Sequence, residues 1–362
     1  MKFLKVNINT AAPRDPEASI LLIYTGGTIG MVSDKQDEHL VPFDFSEVIH
    51  RVPEMRQFKV MLTVLSLDPP IDSSNIGVEH WVKLAQVIQV NYQEYDGFVI
   101  LHGTDTMAYS ASALSFLLEN LGKPVIFTGA QVPIGRMRTD ARRNLITALE
   151  IASAHRMGKP LVPEVCIFFN TLLLRGNRST KVESRHFNAF HSGKYAPLAK
   201  AGIDIEYNQT VILDPPAGPL RVYGELESQV AVLKLFPGIN EAVVKAILNA
   251  KGLKGLVLET FGAGNAPTYP WFLKLLRDAV KRGLTILNVS QCEEGEVNQG
   301  QYETSKYLKD MGVIGGSDLS TEAAVTKLMF VLAQNLSKEE IAEALQNDLR
   351  GELTNRNLLE KR

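Results

Sequence analysis

The chain has 362 residues, 45% of them hydrophobic and 22% charged, with a formal net charge of −2. This is room for two ordinary domains, and the charge balance supplies no basic footprint for a nucleic acid or a membrane surface. Two cysteines, Cys166 and Cys292, are too sparse for a disulfide framework; with no apolar signal segment and no run approaching a bilayer span, they place the chain in the cytoplasm as a soluble protein.

In chain order, residues 1–17 read as a loose or peripheral arm. Apolar runs of strand length then alternate with segments of helical period. Strands are expected at Ile20–Tyr24, Val60–Leu65, Gly97–Leu101, Val125–Thr128 and Val165–Phe169, and helices at Glu79–Tyr92, Thr106–Asn120 and Arg138–Ala154. In the middle helix Leu114, Leu117, Leu118 and Leu121 recur at the spacing of one buried stripe. The stretch "DPPAGPLRVYGELES" is rich in Pro and Gly and lacks helical period, so a linker is placed over 206–228. Beyond it strands are expected at Val230–Leu235, Gly255–Glu259 and Thr285–Val289, with helices at Glu241–Ala250, Pro270–Lys281, Thr321–Gln334 and Lys338–Asn347, the last opened by the capping box "SKEE". The pattern predicts an α/β protein of two α/β domains. The larger, 18–205, has a mostly parallel sheet flanked by helices; the smaller covers 229–362.

Chemistry-bearing residues gather at strand ends. The first strand runs into "TGGTIG", with Gly26, Gly27 and Gly30 spaced G-G-x-x-G. A dinucleotide fingerprint needs glycine where Thr28 stands, and a phosphate loop needs a lysine after its last glycine. Neither is met. The glycines suit a tight turn, and the two hydroxyls, Thr25 and Thr28, equally suit a catalytic loop at the carboxyl end of a strand. The strand at Gly97–Leu101 ends in "HGTDT". There Thr106 reads as a helix N-cap, while Thr104 beside Asp105 could activate water or hold an ammonium group. Lys181 lies in "RGNRSTKVESR"; it is either a solvated charge or, if desolvated, a general base toward a hydroxyl. In "PPIDSSN", Asp72, Ser73 and Ser74 either cap a turn or bind polar substrate groups. No HExxH, CxxC or GxSxG pattern is present. A hydroxyl, lysine and aspartate set suits acyl transfer without a metal or cofactor, and backbone N–H groups of the glycine loops, Gly27 and Gly103, could stabilise an oxyanion by ~3 kcal/mol per donor.

These segments resemble the bacterial-type L-asparaginases, nearest to the cytoplasmic type I branch. "YTGGTIG" and "GFVILHGTDTMAYSASALSFLLENLGKPVIFTGAQ" look like the two signature regions; "RGNRSTK", "FPGI", "GNAP", "GVIGGSDLSTEAAVTKL" and "LRGEL" carry the likeness to nearly the whole chain. The resemblance implies hydrolysis of L-asparagine to L-aspartate and ammonia. It implies that Thr28 is the nucleophile, that Thr104, Asp105 and Lys181 form a triad, and that Asp72, Ser73 and Ser74 grip the α-amino and α-carboxylate groups. It also implies a homodimer or homotetramer, and a regulatory asparagine site at Thr180, Lys245, Ser290, Gln291 and Cys292. The chain departs from the family where a flap tyrosine is expected, for Leu40 stands there. Tyr302 is assigned as the replacement hydroxyl, against the plain reading of an ordinary loop residue. Glutaminase and amidotransferase-associated amidase are the chemical rivals, and a non-catalytic amino-acid-binding module the rival of another class.

Overall fold

The computed structural model describes residues 2–8, 16–33, 40–42, 52–193, 195–299 and 303–354. The chain divides into two compact units, 1–224 and 225–362.

The first unit is built on a nine-stranded sheet. Its centre is parallel, in the order Val60–Asp68, Ala18–Tyr24, Gly97–Leu101, Val125–Thr128, Val165–Phe169. Both faces of these strands are covered, which is why they read as unbroken apolar runs rather than alternating ones. Ile20, Leu21, Leu22 and Ile23 are fully buried, as are Phe98 to Leu101; each such side chain contributes about 1.5–3 kcal/mol relative to exposure. The second strand in the chain lies on one side of the first and the third on the other. The connections therefore diverge above the ends of Ala18–Tyr24 and Gly97–Leu101, the place where open α/β sheets form their crevice.

The sheet edges are antiparallel. Leu172–Arg175, Ala199–Ala201 and Ile205–Tyr207 extend one side. On the other, Lys2–Ile8, expected within a loose or peripheral arm, pairs along its length with Val60–Asp68. Its outward side is partly charged, the usual protection of a sheet edge.

The helix Val78–Asn91 is shifted by one residue from the expected Glu79–Tyr92, and the helices Met107–Leu117 and Ala141–Ser153 fall inside their expected spans. The middle one ends three residues early: Leu118 and Leu121 remain buried, but Leu118–Glu119 leaves the helix to pair with Arg221–Val222. Residues of the expected linker thus take part in the first unit. Leu213 N–H also donates to Glu164, and Tyr223 N–H to the Leu117 carbonyl.

The second unit carries a four-stranded parallel sheet, Val230–Lys234, Gly255–Thr260, Thr285–Ser290 and Ile314–Gly315. Helices Glu241–Leu248, Pro270–Lys281, Thr321–Leu332 and Lys338–Gln346 follow the expected pattern, and Ser337 with Glu340 forms the capping box read from "SKEE". No helix among the described residues is long and apolar enough to cross a membrane.

Candidate active site

Three loops meet at the strand ends of the first unit. The first leaves Tyr24 through Thr25, Gly26 and Gly27 into a short 3-10 turn, Thr28–Gly30. Gly26 and Gly27 have φ of 136° and 89°, values that L side chains rarely adopt. Space is as restrictive as conformation. A Cβ on Gly26 would lie 2.1 Å from the Ile71 carbonyl oxygen, and one on Gly27 would lie 2.6 Å from Gly103 Cα. A Cβ on Gly103 would in turn meet the Ser73 side chain at 2.5 Å. The loops at 25–30, 71–75 and 102–106 thus pack backbone to backbone, and glycine is what permits it. Thr28 and Thr104 each directly follow one of the two touching glycines.

Hydrogen bonds fix the loops further. Thr25 is buried, and both its N–H and its hydroxyl donate to the Leu101 carbonyl, at 3.0 and 2.9 Å, while its own carbonyl accepts from Ile71 N–H. Asp72 accepts from Ser74 N–H at 2.9 Å and caps the 3-10 turn Ser73–Asn75. Asp72 and Ser74 are exposed, whereas Ser73 is buried. Thr106 stands at the N-cap of Met107–Leu117, but its hydroxyl makes no capping bond there. It donates instead to the Ser73 carbonyl at 2.7 Å, so the expected cap is a tie between two loops.

Lys181 comes from the short strand Thr180–Lys181, paired with Phe190–His191. Its Nζ lies 2.8 Å from Thr104 Oγ1 and 2.7 Å from Asp105 Oδ1. The lysine side chain is largely covered, at 16% exposure, while Asp105 is 67% exposed. Thr28 is half-buried, and its hydroxyl takes no hydrogen-bond partner among the described residues. The segment carrying Lys181 is anchored from behind by the buried Arg175–Glu164 pair, 2.6 Å apart, and by the guanidinium groups of Arg175 and Arg178 over the Tyr195 ring.

Two polar residues of this region carried no role in the sequence reading. Gln131, the last residue of "FTGAQ", accepts from the Thr104 hydroxyl at 3.3 Å. Its side-chain amide donates to the carbonyls of Glu183 and His186. Buried Asp140 fixes the turn by accepting from Gln131 and Val132 N–H, both at 3.0 Å. His102 is the other, fully enclosed behind Gly103. Position in a signature segment was the signal for both, and it does not state what a side chain reaches.

The remaining candidates are placed as follows. Leu40 pairs with Ser33 in a small hairpin, Met31–Ser33 with Leu40–Pro42, and Tyr302 lies outside the described residues. In the second unit, Ser290 ends a strand; its hydroxyl donates to the Gly262 carbonyl at 2.7 Å and accepts from Cys292 N–H. Gln291 donates its amide to the carbonyls of Leu235 and Glu259. Cys292 is an exposed free thiol, and Lys245 is exposed on the helix Glu241–Leu248. Thr180 belongs to the first unit, adjoining Lys181.

A hydroxyl, an ammonium and a carboxylate held together at the switch point of an α/β sheet define the class: a two-unit α/β protein with a hydroxyl-lysine-aspartate site. Residues 19–213 match the family "Asparaginase, N-terminal" and residues 229–345 "Glutaminase/Asparaginase C-terminal domain". The chain belongs to the asparaginase family. It is 43% identical to L-asparaginase 1 of Escherichia coli, over 93% of this chain and 98% of that protein. It is 44% identical to the human 60 kDa lysophospholipase over 96% of this chain, but spans only 63% of that protein's length. Among solved structures, L-asparaginase I of Vibrio cholerae has a TM-score of 0.84 at 42% identity, covering 93% of this chain and 99% of that one. The thermostable L-asparaginase of Thermococcus kodakarensis has a TM-score of 0.85 at 31% identity, covering 93% and 99%.

Proposed function

We propose that the protein hydrolyses L-asparagine to L-aspartate and ammonia in the cytoplasm, with Thr28 as nucleophile. The observation that carries this reading is the position of Lys181, within hydrogen-bond distance of both Thr104 and Asp105 beside the loop that bears Thr28. Thr28 Oγ1 attacks the side-chain amide carbon, ammonia leaves, and water resolves the acyl-enzyme. The Lys181–Thr104 hydrogen bond is a short path for the proton that must move when a hydroxyl or water becomes a nucleophile. The exposed carboxylates of Asp105 and Asp72 have a solvent side to meet an α-ammonium group, and N–H groups of the Gly27 and Gly103 loops that have no acceptor among the described residues suit an oxyanion.

Regulation belongs to the same reading. An asparagine held at Thr180 would act on the residue adjoining Lys181, a direct route for coupling. The active form is a homodimer or homotetramer.

Ammonia release from L-asparagine, L-glutamine and D-asparagine, measured for the wild type and Thr28→Ala, tests the reading. Release from L-asparagine, abolished in the variant, is expected. Full activity of Thr28→Ala removes the nucleophile, and no release from any of the three removes the function.

A further inference from the structure

His102 is a buried imidazole at the end of a core strand, 1% exposed. Its Nδ1 lies 2.6 Å from the Gly103 carbonyl oxygen, and its Nε2 lies 2.9 Å from Ser110 Oγ. Ser110 Oγ is also 2.8 Å from the indole nitrogen of Trp81. For a neutral ring, the chemistry of these groups leaves one arrangement of protons. Indole N–H only donates, so Ser110 accepts there and its single proton points to His102 Nε2. A carbonyl only accepts, so the imidazole proton sits on Nδ1. Three side chains from the helix Val78–Asn91, the helix Met107–Leu117 and the strand end form one directed chain, Trp81 to Ser110 to His102 to the Gly103 carbonyl.

From this we infer that His102 is a positioning residue: its Nδ1–H tautomer fixes the Gly103–Thr104 peptide plane and thereby aims Thr104 at the reacting atoms. A trans peptide points its carbonyl and its N–H in opposite directions. With the Gly103 carbonyl held inward by the buried ring, the Thr104 N–H is turned outward, where it has no acceptor among the described residues. The Cα at the start of the same peptide is held by packing, for a Cβ on Gly27 would lie 2.6 Å from Gly103 Cα. A histidine kept only to fill the core would need neither the carbonyl contact nor a dedicated proton donor behind it. Burial supports the neutral ring, holding the imidazole down at about 4.

The inference rests on Thr104 being part of the catalytic set, and its test separates the two. An asparagine amide places its N–H where Nδ1 stands, whereas a glutamine amide reaches toward Nε2. His102→Asn therefore keeps the donor to Gly103, and His102→Gln and His102→Leu lose it. With folding verified by thermal melting, His102→Asn is expected to retain kcat, while the other two lose kcat about 100-fold, the cost of a misplaced reacting group, at nearly unchanged KM. Wild-type kcat in His102→Leu overturns the inference, as does an equal loss in His102→Asn and His102→Gln. Long-range proton–nitrogen NMR on the wild-type imidazole is independent of catalysis and of whether the variants fold: a proton on Nδ1 with a bare Nε2 is expected, and the opposite tautomer overturns the assignment. A wild type that releases no ammonia from asparagine refutes the functional reading and leaves the tautomer measurement to decide this one.

Discussion

Lys181 Nζ stands 2.8 Å from the hydroxyl oxygen of Thr104, although 77 residues separate them in the chain. The lysine is largely covered and its acidic partner Asp105 mostly exposed, so the pair can add little to stability. An ion pair with one exposed partner contributes only ~0–1 kcal/mol, whereas a positioned acid–base group contributes about 10²–10⁴ in rate. Lys181→Met should therefore lower kcat for asparagine by roughly 10²–10⁴-fold and shift the melting temperature little. Steady-state kinetics beside calorimetry check this; a variant that melts far lower at unchanged kcat would make Lys181 a structural residue.

The glycine contacts predict a sharp contrast between positions. Gly27 and Gly283 both have positive φ, 89° and 97°, but a Cβ on Gly283 meets nothing within 4 Å. Gly283→Ala carries only the backbone penalty, about 1 kcal/mol. Gly27→Ala adds a clash with the Gly103 backbone at 2.6 Å, which no rotamer change relieves. It should abolish turnover, because the loops bearing Thr28 and Thr104 must part. Denaturant melts and ammonia release on the two variants distinguish strain from collision.

The pH dependence of stability follows from His102. Burial lowers its pKa from 6.5 to about 4. The unfolded chain takes up a proton near pH 6.5 while the folded one refuses it until about pH 4. Stability is therefore lost as pH falls through that window and levels off below it, by roughly 3 kcal/mol in all. Other groups titrate in the same range, so the measurement is a difference. The stability gap between wild type and His102→Asn, from urea melts at pH 7, 5.5 and 4, should narrow by about that amount. A constant gap would mean that the buried imidazole is not held neutral.

The central strands were legible because burial on both faces leaves an unbroken apolar run, as in Ile20–Ile23. Lys2–Ile8 was not, because an edge strand with lysines and one covered face resembles a polar arm until its partner is known. The helix end at Leu117 was missed for a similar reason: Leu118 and Leu121 continue the apolar stripe, and only the pairing with Arg221–Val222 draws the chain out. At the site, Thr28, Thr104 and Asp105 could be picked out as polar residues at strand ends. What Thr106, Gln131 and His102 do could not, since each acts on a carbonyl or hydroxyl supplied by another loop or by the turn of its own backbone. Periodicity reports which face is buried and is silent on where a hydroxyl proton points.

The segment "LRGEL" also has a physical cause that the pattern did not disclose. Lys327 and Glu352, both fully buried, form an ion pair at 2.7 Å. Lys327 also donates to the carbonyls of Leu345 and Asn347, and Glu352 accepts from Leu349 and Arg350 N–H. The pair thus fastens the chain after the helix Lys338–Gln346 onto the helix Thr321–Leu332. Removing one partner strands the other charge in the interior, a loss of about 3–5 kcal/mol, while replacing both with groups of similar volume is often close to neutral. Glu352→Gln and Lys327→Met should each lower stability by that order, and Lys327→Met with Glu352→Gln together should cost less than the sum. A double-mutant cycle from denaturant melts measures the coupling. Strict additivity would mean that the two side chains are held by their backbone partners alone and that the ion pair itself does not fasten the segment.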